Sequence, residues 1–311
     1  MKWIKKGRIF KASGEYGWIR SHAQIPTVLV KDDVLRVYFS PRPQPGLSCI
    51  AAMDLDIENP VRIIRIYDKP VLEHGEPGYF DEHGVMPNFV WEADGKIYLH
   101  YVGWSRRDSI PYSNWVGMAV SDDGGLTFKK CFKGPVLDRT VNEILSGTGL
   151  VGIKKQDMWY GFYANGTKWY KNSTGGFDSA YEITYAKSKD LINWTDRTGI
   201  PILPKKKERE ANTRPTIIRI GDLYHMWFCY RGVDDYHDGK ESYSIGYAWS
   251  EDLENWHRED EKSGIEKSEA GWDSKMMAYP YVVSARDKYY MFYCGNGFGV
   301  DGYGYAELDL S

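Results

Sequence analysis

Apolar positions along this chain come in short bursts, rich in aromatic and β-branched side chains and broken by Gly, Pro, Asn or Asp, as in Leu35-Arg-Val-Tyr-Phe39 and Lys96-Ile-Tyr-Leu-His-Tyr101. Such runs predict β-strands, and helical periodicity is almost absent. The bursts also recur in a fixed order. Around Pro26, Pro87, Gly149, Pro215 and Pro280 the chain repeats a short apolar strand, a turn, an aromatic strand ending in Tyr, and a strand ending near Ser-x-Asp. Five units of this kind consume the whole chain, and a fixed period of this size marks a repeat architecture.

The repeat is sharpest in its later copies. Tyr224-His-Met-Trp-Phe-Cys229-Tyr230-Arg-Gly232 lies over Tyr289-Tyr-Met-Phe-Tyr-Cys294-Gly295, and Tyr185-Ala-Lys-Ser188-Lys-Asp190-Leu191-Ile-Asn-Trp194 over Tyr247-Ala-Trp-Ser250-Glu-Asp252-Leu253-Glu-Asn-Trp256. The second unit carries the variant Ser121-Asp-Asp123-Gly-Gly125-Leu-Thr127-Phe128, an Asp-box turn between outer strands. With no linker between units, residues 1–311 read as one all-β domain, a five-bladed β-propeller of four-stranded antiparallel blades. The last blade supplies only three strands, Tyr281 to Val283, Tyr289 to Tyr293 and Tyr303 to Leu308. A segment around Lys6 to Phe10 is therefore expected to be its fourth and to close the ring, leaving only short, protected edges.

Composition changes this picture little. Aromatic residues at 15% and 32 glycines suit short strands packed face to face and turned sharply. A formal charge of −3 creates no field suited to nucleic acid or an anionic membrane. No apolar run approaches the ~20 residues that span a bilayer, and Met1-Lys-Trp-Ile-Lys-Lys has no signal-peptide core, so a cytoplasmic protein is expected. Cys49, Cys131, Cys229 and Cys294 show no metal-ligand spacing and read as free thiols. We expect neither metal nor cofactor, and nothing in the chain sets an oligomeric state.

Chemistry is expected at one end of the channel. If the first strand of each blade runs down it, the loop before that strand and the loop after the second strand open on the same face. The leading loops carry His22 and Gln24, then Asp81, Glu82 and His83, then Asp138 and Glu143, then Glu208, Glu210 and Arg214, and finally Asp273 and Lys275. The second-strand ends add Arg42, Trp104, Arg106, Arg231, Asp234 and His237. Acids, bases and aromatic faces together suit a sugar, whose hydroxyls take planar bidentate partners while its apolar ring face packs on Trp or Tyr. The strand aromatics Tyr98, Tyr160, Tyr224, Tyr289 and Trp227 read as packing, and the Ser-x-Asp elements as structural turns. His22 and His83, each four residues before a repeat proline, read as hydrogen-bonded structure, and Asp234-Asp235-Tyr-His237-Asp238 as an exposed acidic loop.

The five-unit count, the Tyr-Ala-x-Ser-x-Asp-Leu-x-x-Trp strand, and Asn212-Thr-Arg214-Pro215-Thr followed by Tyr224-x-Met226-Trp227 resemble the five-bladed glycosidases, glycoside hydrolase families 32, 43, 68 and 130. The resemblance covers all five blades and implies carboxylates spread over the mouth loops. Hydrolysis needs one acid to protonate the leaving oxygen and a second carboxylate to activate water or attack, ~5 to ~9.5 Å apart. It implies Asp81 or Glu82, Glu143 and Glu210 as these groups, Glu210 as proton donor, with Arg214 close enough to orient it or to hold a substrate oxygen. One departure stands out. Families 32 and 43 place an Asp at the first strand of blade one, where this chain reads Ser21-His22-Ala-Gln24-Ile-Pro26; Glu15 replaces it only if its loop folds back over the channel. Family 130 phosphorylases hold phosphate with basic residues, and Arg20, Arg42, Arg106 or Lys275 could do the same. Two readings stay open: a glycosidase or phosphorylase-like enzyme acting on a sugar or glycoconjugate, or a non-hydrolytic propeller that binds a glycan or transforms an activated sugar in surface-polysaccharide metabolism.

Overall fold

Strands flanked on both faces by other sheets are buried along their whole length, and that is what the aromatic runs do. In the computed structural model, which describes residues 1–310, the N-terminal strand β1 (Lys2–Phe10) precedes five antiparallel sheets. Blade one holds β2 (Ser21–Lys31), β3 (Val34–Arg42), β4 (Ala51–Asp56) and β5 (Ile63–Ile66). Blade two holds β6 (Gly84–Ala93), β7 (Lys96–Arg106), β8 (Tyr112–Ser121) and β9 (Lys129–Lys130). Blade three holds β10 (Gly147–Lys155), β11 (Met158–Lys171) and β12 (Phe177–Ser188). Blade four holds β13 (Glu210–Ile220), β14 (Leu223–Gly232), β15 (Ser244–Ser250) and β16 (His257–Arg258). Blade five holds β17 (Ala278–Ala285), β18 (Lys288–Cys294) and β19 (Tyr303–Asp309).

The innermost strands β2, β6, β10, β13 and β17 pack on one another in that order, and β17 returns to β2. The expected five-bladed propeller is therefore present. Its closure is as expected too: β1 pairs antiparallel with β19, from Lys2 opposite Asp309 to Phe10 opposite Tyr303. Blade three departs from the four-stranded plan, because its outer strand is reduced to one bridge between Lys187 and Thr195.

The cores lie between blades, not within them. Tyr38, Ile50, Val85 and Leu99 join blades one and two, Val116, Leu137, Leu150 and Tyr163 join two and three, and Phe162, Met226, Phe228 and Trp256 join three and four. Trp227, Met277, Met291 and Tyr293 join four and five, while Phe39, Met53, Phe292 and Tyr303 join five and one. Each fully buried large side chain contributes about 1.5–3 kcal/mol relative to exposure, so every blade depends on both neighbours. All four cysteines are free. Among the described residues no helix is long and apolar enough to cross a membrane.

The Ser-x-Asp elements are turns. Asp123 Oδ1 accepts the amides of Leu126 and Thr127, both at 3.0 Å, and Asp190 Oδ1 accepts those of Ile192 and Asn193 at 2.9 and 2.8 Å. Slight burial opposes ionisation, but these bonds prevail and hold both carboxyls at about 2, below the ordinary 3.8. A depressed folded pKa contributes stability that is complete above the unfolded value and lost as pH falls through the folded one. The melting temperature should accordingly drop between pH 4 and pH 2, and Asp190→Asn should flatten that drop while lowering the neutral-pH value. An unchanged acid limb in a thermal scan of the variant would contradict the assignment.

Candidate functional site

Four of the five innermost strands turn left-handed at the same place near the channel mouth. Ile25, Arg214 and Tyr279, each just ahead of a proline, have φ of 57°, 53° and 58°, and Gly149 has 73°. Leu150, not Gly149, thus stands at the proline position of blade three. Left-handed backbone is unfavourable for a β-branched or bulky residue and is held there only by its surroundings, at about 1–3 kcal/mol each. In blade three the tolerance is narrower still: a Cβ on Gly149 would lie 3.2 Å from the Arg214 amide nitrogen, which belongs to the next left-handed residue.

These kinks frame a cavity of about 300 Å³ at the mouth. Gln24, Ile25, Met86, Thr148, Thr213 and Tyr279 line it from the innermost strands, and Arg42, Trp104 and Arg231 from the ends of the second strands. Tyr112, Asn114 and Tyr181 come from the beginnings of the third strands, with Tyr243 just ahead of β15. Tyr236, His237 and Phe298 complete the wall from loops. Seven aromatic rings and two guanidiniums therefore face one space, with no aspartate or glutamate among them.

The arginines are held by neutral partners. Arg42 donates to Gln24 Oε1 at 2.5 Å and Ser40 Oγ at 3.2 Å, and burial lowers its pKa to about 10. Arg231 donates to the Gly232 and Ser179 carbonyls at 2.7 and 2.8 Å, and its guanidinium lies 3.8 Å from the Tyr236 ring centroid. Arg214 points one step further down the channel. It donates to Asn88 Oδ1 and to Thr27 Oγ1, both at 2.9 Å, and its pKa also falls to about 10 through burial. Contrary to the expectation from resemblance, it reaches across to blades one and two and does not touch Glu210.

The candidate acids occupy a different environment. Asp81, Glu143, Glu210 and Asp273 are 0%, 1%, 1% and 2% exposed. Each is held by a cation from elsewhere in the chain: Lys130 at 2.6 Å, Arg197 Nε at 2.7 Å, Arg258 at 2.7 Å and Lys5 at 2.7 Å. Three of them also accept a hydroxyl from the same second-strand position: Tyr101 to Asp81 at 3.1 Å, Tyr163 to Glu143 at 2.5 Å and Tyr293 to Asp273 at 3.0 Å. Burial first, and the adjacent carboxylate second, push all three phenols far above their usual range, so they remain neutral donors. This is a repeating carboxylate–tyrosine–cation clamp that ties the leading loop of a blade to its outer parts. Blade four has Phe228 at the tyrosine position. Blade one has Phe39 there, packed on Phe10 and Tyr303 at 5.4 and 5.8 Å; where the acid is missing, its tyrosine is missing as well.

The remaining candidates are scattered. Of those expected to bind, Gln24, Arg42 and Arg231 line the cavity. Glu82, at the rim, accepts the Gly78 amide at 2.7 Å and lies 3.5 Å from His83. His83 sits beside Trp104, with ring centroids 5.8 Å apart. Arg106 donates to the Gly46 carbonyl on an exposed loop. Asp234 pairs with Arg209 at 2.6 Å, Lys275 and Glu15 are exposed, and none of these lines the cavity. His22 contacts Ser21 Oγ at 3.0 Å, and burial with Arg42 nearby lowers its pKa to about 4, so the ring is neutral at pH 7. Tyr112, Asn114, Tyr181 and Tyr243 were not anticipated. In an antiparallel blade the third strand starts where the second ends, so its first residues open on the same face; that was the available signal.

A closed ring of five such blades is the architecture of the five-bladed propeller glycoside hydrolases. A glycoside hydrolase from Bacteroides ovatus, itself described as putative, superposes with a TM-score of 0.70 at 16% identity, covering 99% of this chain and 96% of that one. A thermostable family-43 glycoside hydrolase superposes at 0.65 and 19% identity, covering 92% and 88%. The chain belongs to the same family as the uncharacterised protein Rv1502 of Mycobacterium tuberculosis strain H37Rv, 33% identical over 310 residues, 99% of this chain and the whole of the relative. It is also 25% identical over 240 residues to a 1,2-β-oligomannan phosphorylase of Thermoanaerobacter sp. strain X514, covering 75% of this chain and 71% of that enzyme. No protein-family model matches the chain.

Proposed function

We propose that this protein is a carbohydrate-active propeller of the non-hydrolytic kind: it holds a sugar in the mouth cavity and does not act through a pair of carboxylates. The observation that carries the reading is the lining itself. Aromatic faces such as Trp104 and Tyr279 suit pyranose rings, and Gln24, Asn114 and the arginines supply planar donors and acceptors. The acids that a glycosidase mechanism requires are instead engaged in buried ion pairs. The fold shared with glycoside hydrolases supports the sugar as ligand class, by analogy. The similarity to the oligomannan phosphorylase favours phosphorolysis as a second reading, since that reaction brings its own anion and needs only one proton-transfer group. The cavity wall offers His237, a residue type suited to that role.

Aryl glycosides assayed with and without phosphate test the proposal. No phosphate-independent release is expected from any of them, and Trp104→Ala should weaken sugar binding about tenfold, the loss of one stacking face. Turnover in water alone, abolished by Glu210→Gln or Glu143→Gln at unchanged thermal stability, would restore the hydrolase reading.

A further inference from the structure

Buried guanidiniums are costly unless an anion compensates them. Among the described residues Arg36 with Asp54, Arg197 with Glu143 and Arg258 with Glu210 obey this rule. Arg214, held by Asn88 and Thr27 further down the channel, breaks it, and so do the two arginines of the mouth, Arg231 and the half-buried Arg42. Neither has a carboxylate within 4.0 Å among the described residues, and the Nε of Arg231 is buried without any partner. The acids nearest the mouth are committed elsewhere: Asp178 accepts Tyr236 Oη at 3.0 Å, Asp234 pairs with Arg209, and Asp238 accepts the Gly297 amide at 2.7 Å.

The two arginines are also parts of one wall. Arg42 bonds Gln24, whose Nε2 lies 3.4 Å from Tyr279 Oη. The Tyr279 ring is 5.6 Å from that of Tyr243, which lies under Arg231 at 5.4 Å. A cavity with two uncompensated cations on a continuous wall, and no acid in its lining, is built to be neutralised by what enters it.

We propose that Arg42 and Arg231 form an anion site, so that the sugar taken by this cavity carries a phosphate or a carboxylate. This rests on the carbohydrate reading and narrows its substrate class. Charge-assisted bonds from guanidinium to phosphate or carboxylate are the strong kind, and each is worth roughly tenfold or more in affinity.

The experiment is titration calorimetry of the full chain, at fixed ionic strength, against glucose, mannose and galactose. Each is offered as the free sugar, the 1-phosphate and the uronate, with inorganic phosphate alongside. The charged forms should bind at least about tenfold more tightly than the neutral ones. Arg42→Gln should remove that gain, and Arg42→Lys should keep part of it. Because Arg42→Gln deletes a half-buried charge that no carboxylate compensates, the melting temperature of the ligand-free variant should not fall below that of the wild type, whereas a purely structural arginine would lower it. Preference for 1-phosphates or for uronates identifies which anion the site serves. If charged and neutral sugars bind alike, the anion site is wrong and the carbohydrate reading stands. If inorganic phosphate binds in an Arg42-dependent way and no sugar adds affinity, the anion site stands and the carbohydrate reading fails. If nothing binds at millimolar concentration, both are overturned.

Discussion

Arg258→Ala should destabilise the protein by about 3–5 kcal/mol at pH 8, the cost of stripping a buried ion pair of one partner. Arg258 bridges Glu210 at 2.7 Å and Asp260 at 2.9 Å, with the arginine and glutamate side chains each only 1% exposed. Without it, two buried carboxylates face each other, and Lys206 remains the nearby cation, with its Nζ 3.0 Å from Asp260. The mutual repulsion of the two acids is strongest where both are ionised. The destabilisation is therefore greatest at high pH and relieved in acid, where that repulsion is removed, the opposite limb from the Asp-box effect. Adding Glu210→Gln should recover part of the loss, because it removes one of the stranded charges. Urea denaturation at pH 8 and pH 5 checks all three expectations. A loss below about 1 kcal/mol that is flat in pH would mean that Glu210 is not the structural clamp described here, and would free it again for a catalytic role.

The blade count, the antiparallel plan and the closing strand were legible because a propeller writes its geometry into spacing. Cys229 and Cys294 recur at one strand position, and both end up buried at blade interfaces around the channel. What the spacing could not carry was the direction of a side chain at the head of an innermost strand. Glu210 and Arg214 are four residues apart, yet one turns outward to its blade's own cation and the other into the channel. The deciding partners are remote: Arg197 is 54 residues from Glu143, and Lys5 is 268 residues from Asp273. A buried clamp and a catalytic acid look alike in sequence when both precede an apolar strand. Tyr112, Tyr181 and Tyr243 were not legible for another reason: they stand at or beside strand beginnings, not in the mouth loops, and open on the same face only through the antiparallel return of the third strand. The absent outer strand of blade three was not legible either, because Tyr185 to Trp194 matches its blade-four counterpart almost residue for residue while only a single bridge follows.

Trp3→Ala should cost about 3–5 kcal/mol, comparable to other truncations of a buried aromatic ring, and it should do so by opening the ring at its seam. Trp3 is 3% exposed, lies opposite Leu308 across the closing pair, and sets its ring edge-on to Trp227 of blade four at 5.2 Å. Its amide also donates to the Gly264 carbonyl at 2.9 Å, so this one residue fastens β1 to two blades. The indole N–H is buried without a partner, and such a group carries its own penalty. Trp3→Phe, which keeps most of the ring and removes that donor, should therefore cost less than about 1.5 kcal/mol. Loss of β1 would turn β19 into an unprotected edge, so Trp3→Ala should also speed amide exchange along Tyr303–Asp309 before the inner strands respond. The same seam runs through the cavity: Gln24 and Arg42 come from the first blade, Tyr279 from the last, and the Gln24–Tyr279 contact at 3.4 Å crosses it. Ligand affinity should fall together with seam protection in Trp3→Ala and persist in Trp3→Phe, although residue 3 does not line the cavity. Global unfolding without an earlier rise in exchange at β19, or undiminished ligand binding by a variant whose seam is open, would show that the site does not depend on closure.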